Sequence, residues 1–291
     1  MKISAILIST LLALNAIAAE PPKIRFSVVR TSLAPTKEGL VIQGGALGKD
    51  TTLNHSAFLI EHGDEVLLLD SGLGRNVEKQ MKADQPFWAK PFFKYEDLKP
   101  AADQIEPGVK ARIKRVFLSH LHWDHASGIE DFLPGPCISV PEEEMRELKE
   151  PKAGATFPSQ FAHEGVKWCN FTWSEKAYRG FEKSYDVFGD GTAVAVPLPG
   201  HSFGSIGVFL KLKDKDLFLV GDLVWTTQGI TQEKHKFYVA SKMVDRDREL
   251  VMESIKKVHA EIQKDPKLVV IPAHDAEAQA PFGYYPKWVK W

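Results

Sequence analysis

The chain has 291 residues, of which 44% are hydrophobic and 26% are charged. Such a chain can bury a large core, which argues against a disordered protein and leaves room for one α/β domain or two smaller domains. The formal net charge is −1, and the sequence contains no basic run. A near-neutral chain of this kind does not indicate a nucleic-acid-binding protein.

The amino-terminal sequence MKISAILISTLLALNAIAAE has the features of a secretory signal peptide. It has Lys2, an apolar run from Ile3 to Leu14, and the small residues Ala16 and Ala18. The run is too short to span a hydrocarbon core of about 30 Å, so a membrane anchor fits less well. We therefore expect residues 1–18 to be removed and residues 19–291 to be a periplasmic or secreted single catalytic domain without a stable membrane anchor.

Five apolar runs each end in a side chain that can bind a metal. The runs are typical of strands that are buried on both faces of a sheet. They end at Asp70, His120, His201, Asp222 and His274. If the strands run in similar directions, their carboxyl ends meet at one edge, where open α/β sheets usually place their sites.

Helices and further strands are predicted between these runs. The pattern favours an amphipathic helix over residues 245–263 and a second helix within 140–150. Near the amino terminus, strands are expected at 23–30, 40–45 and 55–61. Together these elements predict one compact domain of strands and helices.

Two long insertions, residues 74–112 and 141–190, are rich in aromatic residues. Rings under long loops usually form satellite cores, and this is the simpler interpretation for any single ring. Long loops beside a site also form lids or pocket walls, so we expect the group to line an apolar substrate pocket. Trp88 and Phe92 are candidates for that wall.

The stretch SHLHWDHASG, residues 119–128, holds three histidines and a carboxylate. His120 and His122 alternate, so an extended backbone would point both imidazoles the same way. Asp124 and His125 come next, where the chain is expected to turn into a helix. Their side chains would point to a second metal position a few ångströms away. One stretch can thus supply ligands to two metals, and Gly128 suits the crowded turn.

The remaining histidines show no such pattern. Each is interpreted as a satisfied surface or core residue; they are His55, His62, His163, His235 and His259. His259 lies near the buried face of its predicted helix and is most simply a packing residue.

Two further features allow alternative interpretations. Cys137 and Cys169 are the only cysteines, and in an oxidising compartment they could form a disulfide or remain two buried thiols. The carboxy-terminal sequence PFGYYPKWVKW could close over the site, form a homodimer interface, or pack on its own domain. Sequence alone does not choose among these arrangements.

The chain resembles the metallo-β-lactamase superfamily in four motifs and in the LLLDSG sequence around Asp70. The motifs are HLHWDH at 120–125, PGHS at 199–202, GD at 221–222 and PAHD at 272–275. The resemblance implies a four-layer αββα sandwich, with one or two metals at the edge between two sheets. Because the superfamily supports many hydrolyses, these motifs are specific for fold and metal but not for substrate.

The resemblance also implies a ligand set. His120, His122 and His201 would hold the first metal, and Asp124, His125 and His274 the second. Asp222 would bridge the two ions, and Asp70 would orient a ligand histidine unless it is only a turn residue. Two divalent ions are implied, with zinc as the default and manganese, iron or cobalt compatible with these nitrogen and carboxylate donors.

A dinuclear site of this kind implies a hydrolase in which a bridging hydroxide attacks an ester-like carbonyl. Asp124 and Asp222 are the expected catalytic carboxylates, and Asp124 could accept or relay a proton. The ligand set looks most like that of acyl-homoserine lactone hydrolases, whose small-molecule substrates have an apolar acyl chain. Those enzymes typically have a tyrosine three places after the bridging aspartate, where this chain has Trp225.

Other functions remain open. Organophosphate triester hydrolases of the same superfamily share the ligands and are the stronger rival. β-Lactam hydrolysis ranks lower, because β-lactamases with this histidine motif generally lack a carboxylate equivalent to Asp222. Glyoxalase-like thioester hydrolases share the ligands, but no further domain is evident after His274. A non-catalytic metal-binding protein is the least favoured interpretation, because a protein that had lost its activity would be expected to lack some of the ligands.

Overall fold

The computed structural model describes residues 24–213 and 215–290. The predicted signal peptide lies outside the described residues. The strands are Ile24–Lys37 (β1), Asp50–His62 (β2), Glu65–Leu69 (β3), Ile113–Phe117 (β4), Cys137–Ser139 (β5), Tyr185–Asp186 (β6), Ala193–Pro197 (β7), Ile206–Lys211 (β8), Asp216–Leu219 (β9), Val269–Ile271 (β10) and Val289–Lys290 (β11).

Most of the helices are short. The α-helices are Glu38–Val41 (α1), Val77–Asp84 (α2), Ala101–Gln104 (α3), Pro107–Lys110 (α4), Trp123–Ala126 (α5), Arg146–Lys149 (α6), Thr227–Thr231 (α7), Tyr238–Val244 (α8), Arg248–Lys264 (α9) and Ala276–Gln279 (α10). Turns of 3-10 helix cover Ser127–Phe132, Glu142–Met145, Pro158–Phe161 and Ala280–Phe282. In the described part of the chain, no helix has both the length and the apolarity that crossing a bilayer requires.

The strands form two sheets that pack face to face. One sheet has the order β11-β1-β2-β3-β4-β5 and the other β10-β9-β8-β7-β6. The inner faces share one apolar core, in which Phe26, Phe58 and Phe117 of the first sheet meet Val208 and Leu219 of the second. Burying alternate side chains of both sheets in this way stabilises the sandwich through the hydrophobic effect.

Helices cover the outer faces. Val251, Ile255 and Val258 of α9 are fully buried against the second sheet, as the periodicity of this segment predicts. On the other side, α3 and the 3-10 turn after α5 pack on the first sheet through residues such as Ala101 and Ile129. The predicted four-layer αββα arrangement is therefore confirmed.

The strand directions bring the predicted site residues to one edge. β3 and β4 are parallel neighbours in the first sheet, and β9 and β10 are parallel neighbours in the second. β7 runs in the same direction as β9, because the strand between them, β8, is antiparallel to both. The carboxyl ends of all five strands consequently meet where the two sheets adjoin.

Residues 40–45 do not form the predicted strand. They lie in α1 and the turn that follows it. Glu38 stabilises this compact loop, because its carboxylate accepts hydrogen bonds from the Ala46 N–H at 3.0 Å and the Lys49 ammonium at 2.7 Å. Local hydrogen bonding thus overrides the apolar pattern of this segment.

The structure decides between a disulfide and two free thiols, and it shows where the described part of the carboxy-terminal segment packs. A disulfide joins Cys137 on β5 to Cys169, with the Cα atoms 5.8 Å apart. Tyr285 is buried, and Trp288 packs against the same core, which also contains α3 residues. This part of the carboxy-terminal segment therefore packs on its own domain rather than over the site, while Trp291 lies outside the described residues.

Candidate metal centre

Seven buried or nearly buried side chains form two adjacent groups at this edge. In each group, the potential ligand atoms lie within 4.8 Å of one another. The first group is His120, His122 and His201, and the second is Asp124, His125, Asp222 and His274. Asp222 also reaches the first group, since its Oδ2 is 3.6 Å from His201 Nε2.

The local conformation of residues 119–128 explains how one stretch serves both groups. His122 has an extended backbone (φ −77°, ψ 156°) and precedes α5, which begins at Trp123. His120 and His122 therefore point to the first group, whereas Asp124 and His125 project from the helical turn into the second. Gly128 is needed for a close approach, because a Cβ there would lie 2.6 Å from the Ser71 carbonyl oxygen.

Four of the histidines are held from behind through Nδ1. Their partners are Ser119 Oγ for His120 (3.0 Å), Asp70 for His125 (2.8 Å), Asp245 for His201 (2.7 Å) and the Asn54 carbonyl for His274 (2.6 Å). Each imidazole consequently turns Nε2 inward, toward the other members of its group. Fixing both ring orientation and tautomer in this way is typical of metal-binding histidines.

Several inward-facing atoms lack ordinary partners. Nε2 of His122 and Nε2 of His125 are buried without a hydrogen bond among the described residues. His120 Nε2 and His201 Nε2 face each other at 3.1 Å. Buried polar atoms normally have partners, so this arrangement indicates that the imidazole lone pairs converge on a cation.

The histidines of the first group favour the neutral state. Burial lowers the pKa of His120 and of His122 well below the usual value, and repulsion from neighbouring imidazoles adds to the effect. Burial also lowers the pKa of His201. Because a histidine must be unprotonated to bind a metal, the first group is ready to do so at neutral pH.

The second group attracts positive charge. Burial alone would lower the pKa of His274, but the negative charge of Asp222 and contacts with Asp124 outweigh it and raise the pKa to about 10. His274 Nε2 lies 2.9 Å from Asp222 Oδ1 and 3.2 Å from Asp124 Oδ2. Burial raises the pKa of Asp222, but the imidazoles of His274 and His125 hold it well below the usual range.

Asp70 lies behind the second group, against His125. Its Oδ1 accepts a hydrogen bond from the Ser119 N–H at 2.7 Å, and its Oδ2 accepts one from the Ser119 hydroxyl at 2.9 Å. The same Oδ2 lies 2.8 Å from His125 Nδ1. Asp70 therefore links the two groups, because Ser119 also contacts His120.

A buried ion pair behind His201 has no counterpart in the sequence predictions. Asp245 contacts His201, and its carboxylate also accepts hydrogen bonds from Lys236 at 2.8 Å and from Ser241. Burial raises the pKa of Asp245, but Lys236 and His201 outweigh this and hold it below the usual value. Asp245 follows His201 by 44 residues, so no local spacing relates it to the site.

A large apolar cavity of about 550 Å³ opens onto both groups. Its size falls in the range of small-molecule sites. Asp124, Asp222 and His274 lie at its inner end. The wall includes Val41, Leu53, Phe92, Phe93, Phe237 and Met243.

The predicted contribution of the insertions to this wall is confirmed only in part, because Phe92 lines the cavity but Trp88 does not. Phe92 and Phe93 of residues 74–112 line the cavity, but the second insertion contributes Ala155 and none of its aromatic rings. Those rings are instead packed in cores: Phe157 against Trp123, Phe171 against Phe117, and Phe181 against Phe209. α1 and α8 supply much of the remaining wall, and no sequence pattern predicted this.

One histidine outside the metal motifs also lies in the cavity. His55 is 6% exposed, and its Nε2 is 3.7 Å from Asp124 Oδ2. Burial lowers its pKa to about 4, so the ring is neutral at pH 7. His55 is buried, as expected of a core histidine, but it also lines the cavity. His62 and His259 lie elsewhere, against Asp190 and the Ile230 carbonyl.

Buried imidazole nitrogens without partners, next to carboxylates and without thiolates, fit divalent transition metals. Zinc suits this donor set, and manganese, iron and cobalt are compatible with it. The residues present therefore fit the metal site that the sequence motifs imply.

Comparison with known proteins identifies the family. The sequence pattern of the metallo-β-lactamase superfamily matches residues 50–274. The chain belongs to the metallo-β-lactamase superfamily. The predicted resemblance is therefore confirmed, and the motifs at 120–125, 199–202 and 221–222 and the first residues of 272–275 lie within the matched region.

Curated relatives in the superfamily include lactonases. The N-acyl homoserine lactonase AttM of Rhizobium radiobacter is 30% identical over 182 residues, which is 61% of this chain and 64% of that protein. The chain thus matches slightly less than two thirds of that relative's length. A probable metallo-hydrolase of Mycobacterium tuberculosis, Rv2300c, is 25% identical over 75% of this chain and 74% of its own length.

Solved structures share the superfamily fold. The AiiA protein of B. thuringiensis, with N-decanoyl-L-homoserine at its active site, has a TM-score of 0.69 and 18% identity. The alignment covers 92% of this chain and 99% of AiiA. At this identity the likeness establishes the fold alone.

Replacing Asp70 tests the arrangement behind His125. Asparagine tolerates the left-handed backbone at this position (φ 57°) but removes the negative charge facing Nδ1. We expect Asp70→Asn to weaken the binding of one zinc ion about 10- to 100-fold. The measurement is competition with a chromophoric chelator, alongside thermal unfolding.

The exposed surface residue Asp103, paired with Arg75, provides the matched control. Asp103→Asn should leave zinc binding unchanged. Equal zinc affinities for Asp70→Asn and the native protein would show that Asp70 does not support a metal ligand.

Proposed function

We propose that the protein is a dinuclear metal-dependent hydrolase that opens N-acyl homoserine lactones or cleaves closely related esters. The observation that carries this proposal is the pair of ligand groups at the inner end of a large apolar cavity. In the proposed assignment, His120, His122 and His201 hold one ion, and Asp124, His125 and His274 hold the other. Asp222, which lies near His201 of the first group and His274 of the second, would be available to both ions.

Two divalent ions at this site would supply a nucleophile at neutral pH and stabilise negative charge on substrate oxygens. The chain's own residues position these reactants. Asp222 is held in place by the Trp225 indole, whose Nε1 donates a hydrogen bond to Oδ2 at 3.0 Å. Asp124 faces the cavity and, as proposed, accepts the proton that the nucleophile releases.

The cavity wall supports a substrate with an apolar chain. The cavity passes from the carboxylates and imidazoles at its inner end to aliphatic and aromatic side chains farther out. A lactone ring placed at the ligands would direct its acyl chain along Phe92, Phe237 and Met243. Lactonase activity among the curated relatives supports the same substrate class.

Trp225 favours a second candidate, the aryl phosphotriesters. It stands where acyl-homoserine lactonases typically have tyrosine, and an indole cannot transfer a proton as a phenol does. Its only N–H donor is already engaged with Asp222. A phosphotriester with an aryl leaving group has less need of a proton donor, because an aryloxide is a more stable anion than an alkoxide.

Proton release in a pH-stat distinguishes the two substrates. We expect the zinc- or manganese-loaded protein to open N-decanoyl-homoserine lactone faster than it hydrolyses an aryl phosphotriester. Chelation should abolish both reactions and metal addition restore them, because both need the ions. Turnover of the phosphotriester alone would favour the second candidate, and no turnover of either would contradict the proposed activity.

Phe92 offers a test of the acyl pocket. It lines the cavity yet is 60% exposed, so its replacement should not unfold the protein. We expect Phe92→Ser to lower kcat/KM for the decanoyl lactone about fivefold, equivalent to roughly 1 kcal/mol of lost apolar contact. The butanoyl lactone should be little affected, because its chain is too short to reach the outer wall.

Phe87 is the matched control. It lies in the same segment and is 85% exposed, but it does not line the cavity. If Phe87→Ser and Phe92→Ser changed chain-length preference equally, Phe92 would not be part of the acyl pocket.

We also propose that the protein acts outside the cytoplasm. The amino-terminal sequence and the Cys137–Cys169 disulfide both support this, since structural disulfides persist in oxidising compartments. Expressed as the full chain in a bacterium, the protein should appear in the periplasmic fraction with Ala19 as its first residue and without free thiols. Amino-terminal sequencing and a thiol assay test this, and an unprocessed, reduced cytoplasmic protein would contradict it.

A further inference from the structure

His55 occupies a distinctive position in the cavity. It is beside the second ligand group without being part of it: Nε2 lies 3.7 Å from Asp124 Oδ2, beyond hydrogen-bonding distance. The ring lies between those of His274 and Trp123, with centroids 5.4 and 5.6 Å away. The side chain thus faces the place where a substrate bound at the second group would have its reacting atoms.

The register of β1 and β2 fixes the orientation of the ring. Ser32 pairs directly with His55, and its Oγ lies 2.7 Å from His55 Nδ1. A register shift between Arg30 and Ser32 establishes this pairing. Bulges of this kind commonly re-aim side chains near active sites. With Nδ1 engaged by Ser32, Nε2 is the atom that remains for the cavity.

The contact with Ser32 allows a tautomer of His55 with its hydrogen on Nε2. The Ser32 hydroxyl can donate its proton to Nδ1, because an imidazole nitrogen without a hydrogen accepts a hydrogen bond. The hydrogen of the neutral ring is then on Nε2. In this tautomer, His55 offers a single hydrogen-bond donor to the cavity.

The indole of Trp225 is not free to act in the same way. It has one donor, and that donor binds Asp222. A substrate oxygen near the second group would therefore receive no hydrogen bond from Trp225 unless the Asp222 contact broke. His55 has no corresponding protein acceptor within 3.5 Å of Nε2 among the described residues.

We propose that His55 is a substrate-binding catalytic residue whose Nε2–H donates a hydrogen bond to the leaving oxygen of the ester or lactone. This inference rests on the proposed hydrolase function. The hydrogen bond strengthens as the acyl C–O bond breaks, because the oxygen gains negative charge. His55 transfers no proton and remains neutral, so the leaving oxygen takes its proton from solvent after bond cleavage.

The test varies the leaving group while the acyl chain stays constant. Decanoyl esters of alcohols and of phenols are compared in the zinc-loaded native protein, His55→Phe and His55→Gln. For alkoxide leaving groups, we expect His55→Phe to lower kcat about 100-fold, the loss typical of one donor to a developing oxyanion. 4-Nitrophenolate is a stable anion and needs no hydrogen-bond donor to leave, so for this leaving group the loss of kcat should stay below about threefold.

His55→Gln should recover most of the activity toward alkyl esters, because its amide N–H can replace the Nε2–H donor. His259→Gln provides a matched control, since His259 is a partly buried histidine on α9 away from the cavity. It should behave as the native protein does. Metal content and thermal unfolding are measured for each variant.

Calorimetric binding of the ring-opened product, N-decanoyl-homoserine, gives a readout besides turnover. Its hydroxyl is the former leaving oxygen, so His55→Phe should weaken its binding about tenfold but leave decanoate binding unchanged.

Equal losses for all leaving groups, together with lower metal affinity, would show that His55 only positions Asp124 and would overturn its proposed role. That outcome is distinct from inactivity of the native protein toward every ester, which would overturn the hydrolase proposal itself.

Discussion

Negative charge buried where the two sheets meet is the constraint on which the site depends. Asp124 and Asp222 lie largely out of solvent, and burying unpaired carboxylates is costly. The imidazoles of His125 and His274 face them and can carry compensating charge as protons or through bound metal ions. The binding of a metal ion at these groups would therefore be coupled to folding, because an ion that binds only the folded chain also stabilises it.

The surrounding fold supplies the rigidity that this charge cluster needs. Partners behind the histidines come from separate parts of the fold: Asp70 follows β3 and Asn54 lies within β2 of the first sheet, whereas Asp245 follows helix α8. A network of this kind specifies one arrangement of the ligands only if each member is satisfied. The Lys236–Asp245 pair meets that condition for His201, since Lys236 balances the buried carboxylate that orients the ring.

Many strands and the long helix α9 could be predicted, because they depend on local sequence patterns. Apolar runs before Asp70 and Asp222 identify strands, and the spacing of Val251, Ile255 and Val258 identifies α9. Residues 40–45 could not be predicted, because Glu38 organises that loop through contacts with Ala46 and Lys49. The place of His55 in the cavity could not be predicted for a related reason. Its proposed role depends on cross-strand pairing with Ser32 and on the distant Asp124, and neither relation produces a sequence motif.

Substrate choice has a different physical basis from metal binding. Metal ions held by the two ligand groups would offer positive charge to any carbonyl or phosphoryl oxygen, so the ions by themselves would not distinguish lactones, other esters and phosphotriesters. Discrimination between substrates would then depend on the side chains that contact the rest of the substrate. These are the apolar wall from α1, α8 and residues 91–94 and the hydrogen-bond donors near the leaving group. Because Trp225 directs its N–H to Asp222, it stabilises the ligands and leaves the leaving group to other donors. A tyrosine-to-tryptophan difference at one position can therefore change which leaving groups are tolerated while the metal centre stays intact.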